Sequence, residues 1–252
     1  MEIRIIPLAG LPAIRPRDDL ARWIGDAIDA AGCGLLTDDV VVVCQKVVSK
    51  AEGRIVSLSE IRPSDKARAF ADEYEKDAAL IELAMAEATE ILRMENGHLI
   101  TAIGAGWICA NSGIDRSNQN AEGEVTLLPL DADHSAAELR TRLIERFGGK
   151  PAVVISDTFG RPWRLGQLDV AIGAAGFAVV DDHTGRRDWT GRVLEHTAIA
   201  VADQIAAAAG LAVAKDEGRP VVIVRGYRAP APLAGSERAA DIIRPRRDDL
   251  FR

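Results

Sequence analysis

Ala152-Val153-Val154-Ile155-Ser156-Asp157-Thr158-Phe159-Gly160-Arg161-Pro162-Trp163-Arg164-Leu165-Gly166-Gln167 is the stretch on which the reading of the chain turns. Ala152 to Ile155 is an apolar, β-branched run of the kind that forms a buried strand. It passes abruptly into an acid and two hydroxyls, and then into glycines, arginines and a glutamine. Buried strands deliver polar side chains to a site at their carboxyl ends, and the loop after them builds the pocket. Asp157 offers a hard oxygen to a divalent metal. Arg161 and Arg164 offer forked donors that match phosphate or carboxylate and could grip acidic substrates. A turn-capping Asp and solvated arginines would explain each residue singly. A site explains them together.

The 252 residues suffice for one large domain or two small ones, with ample length to bury a core; with no low-complexity linker to divide it, a single domain over 1–252 is expected. Aromatics are only 4%, so that core must be mainly Val, Ile, Leu and Ala. A net charge of -7 argues against nucleic-acid binding, which needs a basic surface. Cys33, Cys44 and Cys109 are scattered and form no CxxC, which disfavours a disulfide framework or a zinc site. No signal peptide opens the chain, and no apolar run approaches the ~20 residues of a membrane span. A soluble cytoplasmic protein is expected.

Strands and helices then alternate. Ile3 to Ile6 reads as a strand, and a Pro-Gly loop, Pro7 to Ile14, follows it. Asp18-Asp19 open a helix that runs to about Ala31. Val40 to Val43 is a strand covered on both faces. Lys46, Lys50 and Arg54, four apart, flank its end; they suit a polyphosphate or a solvated face equally well. Ser64 to Met94 reads as two helices broken near Lys76-Asp77, and His98 to Ile103 as a strand. Ala110 to Asn120 is rich in turn formers. Asp115 and Asn118 could face a metal and a nucleotide there, although alone the stretch reads as an Asx-rich surface loop. Glu124 to Leu128 is a strand, and Ala136 to Phe147 a helix closed by Gly148. Val170 to Val180 is small and apolar, and a charged loop carrying His183 follows. With no nucleophile motif beside it, His183 suits a structural or substrate-contacting role. Glu195 to Ala214 reads as a helix and Pro220 to Val224 as a strand. The class is α+β or α/β with a mixed sheet. Neither a dinucleotide fingerprint nor a Walker A motif is present.

Several of these stretches together resemble the coenzyme F420-0:L-glutamate ligase family. They are Pro7 to Pro12, Lys46 to Arg54, Gly113 to Asn118, Ser156 to Arg164 with Gly166-Gln167 and Ile172-Gly173, and Val221 to Gly226. They keep the family's order from about residue 3 to about residue 235.

The resemblance implies an α+β fold peculiar to that family, neither Rossmann nor P-loop, in a homodimer. It implies a GTP-dependent ligase that activates the terminal carboxylate of coenzyme F420-0 as an acyl phosphate and joins L-glutamate to it. GTP would contact Leu11, Pro12, Ala13, Ile14, Gln45, Lys50 and Asn118. Asp115, Asp157 and Thr158 would hold a pair of Mg²⁺ or Mn²⁺ ions, and K⁺ is a further candidate. Lys50 would steady the leaving phosphate beside Asp157. Arg161 is added to these catalytic candidates on its chemistry alone. One departure stands out: the family's Met-Gly-Gln or Met-Gly-Lys step is replaced by Ala212-Val213-Ala214-Lys215-Asp216-Glu217-Gly218. The nitroreductase-like domain fused to some members is not expected. A folate or pterin acceptor, a non-catalytic nucleotide-binding relative and a metal-dependent phosphohydrolase remain open.

Overall fold

The computed structural model describes residues 2–213, 217–231 and 237–250. In chain order its elements begin with β1 (Arg4–Leu8), α1 (Leu20–Ala30), β2 (Val40–Cys44), α2 (Gln45–Ala51) and β3 (Ile55–Ser57). Then come α3 (Asp65–Tyr74), α4 (Ala78–Glu87), β4 (Glu90–Glu95), β5 (His98–Ile103), β6 (Trp107–Ala110) and β7 (Glu124–Thr126). The last are α5 (Ala132–Phe147), β8 (Ala152–Arg161), β9 (Arg164–Ala175), β10 (Val180–Asp182), β11 (Ala198–Ala200), α6 (Val201–Gly210) and β12 (Val221–Arg225). The fold is α+β, and among the described residues no helix is long and apolar enough to cross a membrane.

The centre is a five-stranded sheet in the order β1-β12-β2-β8-β9, in which β2 and β8 are parallel and the other pairs antiparallel. The unbroken valines of β2 follow from burial on both sides. Val41 and Val43 pack with Ile24 and Ile28 of α1 and Leu139 and Leu143 of α5. Val40 and Val42 pack with Ile205 and Ala209 of α6. The period-two alternation of side chains sends neighbours to opposite cores. Strand β9 is an edge, and an edge exposes unpaired N–H groups. Here carboxylates take two of them: Asp203 accepts from Ala171 N at 3.0 Å, and Asp133 from Ala174 N at 2.8 Å.

Everything between β2 and β8 is inserted between two parallel neighbours. It includes the antiparallel sheet β4-β5-β6, the pair β3-β7 and helices α3 and α4. Phe70, Ile81, Ala84 and Leu99 form a small core of their own there.

Several sequence expectations are corrected. The strand from Ala152 does not stop at Ile155. It continues to Arg161 and pairs with β9 as far as Arg161↔Arg164. Asp157 and Thr158 therefore stand on a hairpin, not in a loop. Polar residues are tolerated because residues 160–168 project beyond the core and are exposed. Ile91 and Met94 lie in β4, not in a helix. Asn96 and Gly97, with φ of 51° and 72°, form the turn into β5. Such an Asn-Gly pair with both φ positive is a strong hairpin signal. Helix α5 begins at Ala132 because the Asp131 carboxylate caps it, accepting from His134 N at 2.9 Å. The helix expected from Glu195 starts at Val201, after the short strand β11; Ala214 lies outside the described residues.

Candidate active site

The carboxyl ends of parallel strands β2 and β8 lie side by side, with Cys44 opposite Ser156. Above them opens a cavity of about 820 Å³. That is near the upper end of the ~300–1,000 Å³ usual for ligand pockets, with room for a nucleotide and part of a second substrate. Four further segments close it: the 11–14 loop, the 113–120 loop, the base of the β8–β9 hairpin, and the end of α6 with 218–220.

Each site residue is placed by local structure. Helix α2 puts Gln45, Lys46 and Lys50 on the cavity wall. Gln45 is buried and accepts from Ser49 Oγ at 2.8 Å. Lys50 is buried too; it donates to the Asn118 carbonyl at 2.6 Å and to Asn120 Oδ1 at 3.1 Å. Burial, then the neighbouring Lys46 charge, holds its ammonium below the ordinary lysine pKa. Asn120 also donates to the Ile14 carbonyl at 3.2 Å, which ties the 11–14 loop to Lys50.

Asp115 is held by a backbone bridge to Thr126, with N–H to carbonyl distances of 2.9 Å in both directions. Its Oδ1 accepts from Ser117 N at 2.7 Å and Ser117 Oγ at 2.8 Å. Its Oδ2 lies 2.7 Å from Lys46 Nζ. Burial pushes the Asp115 carboxyl up, but Lys46 and Ser117 outweigh it, so the group sits below its ordinary value.

Asp157 behaves oppositely. Burial pushes its pKa up to about 7, and the carboxylates of Asp115 and Asp169 add to the rise. The nearby Cys109 thiol is pushed up to about 12 by burial and by Asp157, so it is no thiolate nucleophile. Thr158 donates to Asp169 Oδ1 at 2.7 Å. Asp169 is a site residue that the sequence reading missed. Its signal was the hairpin register, which sets it opposite Thr158.

All of Leu11, Pro12, Ala13, Ile14, Gln45, Lys50, Asp115, Asn118, Asp157 and Thr158 line this one cavity. Arg161 does not. It lies at the exposed hairpin tip, where its guanidinium donates to the Gly166 carbonyl at 3.2 Å. Of the divergent 212–218 step, Val213 and Gly218 line the cavity, and residues 214–216 lie outside the described residues.

Among the described residues, no group of three or more His, Cys, Asp or Glu side chains is arranged to hold a metal by itself. What the cavity offers is the carboxylates of Asp115, Asp157 and Asp169 and the Thr158 hydroxyl, all hard oxygen donors. Mg²⁺ is usually held by one or two carboxylates and completed by substrate phosphates and water. The raised pKa of Asp157 comes chiefly from burial, to which the neighbouring carboxylates of Asp115 and Asp169 add, so a cation brought beside it is favoured. The donor set therefore fits an ion that arrives with a polyphosphate better than a closed metal cage.

The sequence matches the F420-0:Gamma-glutamyl ligase family over residues 10–226. Proteins called coenzyme F420:L-glutamate ligase resemble it from end to end. That of Methanothermobacter thermautotrophicus is 43% identical over 253 residues, covering 100% of both chains. That of Methanopyrus kandleri is 42% identical, covering 99% of this chain and 98% of its own. That of Archaeoglobus fulgidus is 39% identical, covering 100% and 97%. With the match spanning most of its length, this chain belongs to the F420-0:gamma-glutamyl ligase family.

Proposed function

We propose that this protein joins L-glutamate to coenzyme F420-0 through an amide bond, with GTP as the activating co-substrate. The observation that carries this is the meeting of Asp115, Asp157, Lys46 and Lys50 in a single cavity, in a chain of this family.

A free carboxylate is a poor acceptor for an amine. The terminal carboxylate of F420-0 attacks the γ-phosphate of GTP, GDP leaves, and an acyl phosphate forms. The glutamate amine then adds to the acyl carbon, loses its proton, and expels phosphate. Such a reaction is driven mainly by positioning and by charge placed where charge develops. The 11–14 loop, Gln45, Lys50 and Asn118 hold the nucleotide. Asp115, Asp157 and Thr158 hold Mg²⁺ or Mn²⁺, which supplies screening of the phosphate charge when bound. Lys50, with its depressed pKa, adds a point charge beside the departing phosphate. Arg161 lies outside the cavity, on the Gly166 carbonyl, and carries no step of this reaction.

A homodimer suits this surface. Trp163 and Leu165 at the hairpin tip are 81% and 100% exposed, an apolar projection that a second copy would cover. A cytoplasmic location and a K⁺ requirement belong to the same proposal.

The test is phosphate release from GTP with Mg²⁺ or Mn²⁺ and L-glutamate, with F420-0 present, absent, or replaced by a folate. Products are read by mass spectrometry. Release that needs F420-0, with one or more glutamyl units added, is expected. Addition to the folate instead would reassign the acceptor, and release without any acceptor would point to a hydrolase. Sedimentation velocity tests the dimer; a monomer at micromolar concentration would exclude it.

A further inference from the structure

Lys46 and Lys50 stand one helical turn apart on α2 and are used differently. Lys50 is buried on neutral partners, the Asn118 carbonyl and the Asn120 side chain. Lys46 reaches across the cavity to a carboxylate and a hydroxyl, with Nζ 2.7 Å from Asp115 Oδ2 and 2.5 Å from Ser117 Oγ. The other Asp115 oxygen accepts from Ser117 N and Ser117 Oγ. Asp115 therefore presents Oδ2 to the cavity, and Lys46 already sits on it.

An ammonium and a divalent ion drawn to one carboxylate oxygen repel each other, so each weakens the other's hold, and a metal that binds there favours release of the lysine. A lysine suits the part: it is a compact point charge on a flexible four-carbon stem, with no planar fork to lock it in place. The same charge also acts on Asp157, drawing its pKa down. Asp115, Asp157 and Asp169 all line this cavity, and Lys46 is the cation paired directly with one of them among the described residues.

We propose that Lys46 is a place-holding counter-ion: it neutralises Asp115 until a divalent ion takes that carboxylate, and is then released toward the phosphates of the nucleotide. This rests on the metal- and GTP-dependent reading above. It makes Lys46 a positioning residue whose departure is linked to metal binding. Two ligands competing for one group must show opposite linkage, each weakening the other.

The experiment compares wild type with Lys46→Gln. Mn²⁺ binding to the nucleotide-free protein is measured by electron paramagnetic resonance, and the KM for GTP in the ligation assay. The variant should bind Mn²⁺ more tightly, by about fivefold or more, the low end of ordinary coupling between sites. Its KM for GTP should rise. A lysine that merely pins the 115–120 loop would give weaker Mn²⁺ binding in the variant, and unchanged or weaker binding overturns the proposal. An unchanged KM for GTP overturns the transfer to the phosphates.

A second measurement needs no variant. The rate of acylation of Lys46 in wild type is followed by peptide mass spectrometry, with and without saturating Mn²⁺. Mn²⁺ should speed labelling of Lys46 and leave Lys50 unchanged; equal Lys46 rates overturn the proposal. If wild type binds no Mn²⁺ with or without GTP, the metal-dependent reading itself falls, and this proposal with it.

Discussion

Thr158 and Asp169 face each other across the β8–β9 hairpin, and the threonine hydroxyl donates to the aspartate at 2.7 Å. That bond sends the hydroxyl proton to Asp169 and leaves the Thr158 oxygen lone pairs for another partner. It also fixes the rotamer of a proposed metal ligand. Residues that orient a ligand in this way typically change metal affinity or activity 10–100-fold when lost. Asp169→Ala should therefore lower both Mn²⁺ affinity and ligation rate by about 10–100-fold. Asp169→Asn keeps an acceptor and should retain more of both. Equal losses in the two variants would show that the charge matters and not the bond.

Gly210 bears on the same carboxylate. A Cβ there would come 2.6 Å from Asp169 Oδ2. Gly210→Ala should displace Asp169 and impair ligation, with a Tm within a few degrees of wild type. A variant as active as wild type would mean that Asp169 can move freely without consequence for the site.

Asp157 gives a pH-dependent prediction for the metal-free protein. Its folded-state pKa is about 7, against an ordinary 3.8, with burial as the main cause. An acid with a raised folded pKa favours folding in its protonated form. That favourable contribution is complete below about 4, falls as the unfolded carboxyl ionises, and is lost by about 7. Metal-free wild type should thus lose stability between about pH 4 and pH 7 relative to Asp157→Asn. At pH 8 the variant should melt higher, by about 2–4 °C for each kcal/mol of relieved repulsion in a chain of this size. It should also be inactive. An active variant would remove Asp157 from the site, and identical pH–stability curves would show that cavity water relieves the carboxylate.

Gly173 is a packing requirement. A Cβ there would collide with the carbonyl of Ala132, where α5 starts against β9. Overpacking a tight contact usually costs about 1–3 kcal/mol. Gly173→Ala should lower the unfolding free energy by at least about 2 kcal/mol in a urea titration, because a backbone carbonyl cannot rotate away as a side chain can. A loss below about 0.5 kcal/mol would mean that the α5 start can shift with little penalty.

The buried strands are legible in the residues alone, because their β-branched runs carry their own signature: Val40–Val43, Ala152–Ile155 and Val221–Val224 all lie in the central sheet. The family is legible too, because the motifs keep their order along the chain. The sequence even held the Asn96-Gly97 hairpin signal, which the helical spacing of Leu80, Leu83 and Ile91 masked. Tertiary structure alone decided the rest. Asp157 and Thr158 lie on a strand because β9 returns to pair with them, a contact between segments that no local pattern encodes. Asp169 joins the site through that register. Asp115 meets Lys46 because the whole insertion between β2 and β8 folds back over α2, bringing together residues about seventy positions apart. Local propensity specifies elements, whereas a pocket is built from their ends. Those ends meet only once the central sheet has buried its two faces and set the order of its strands.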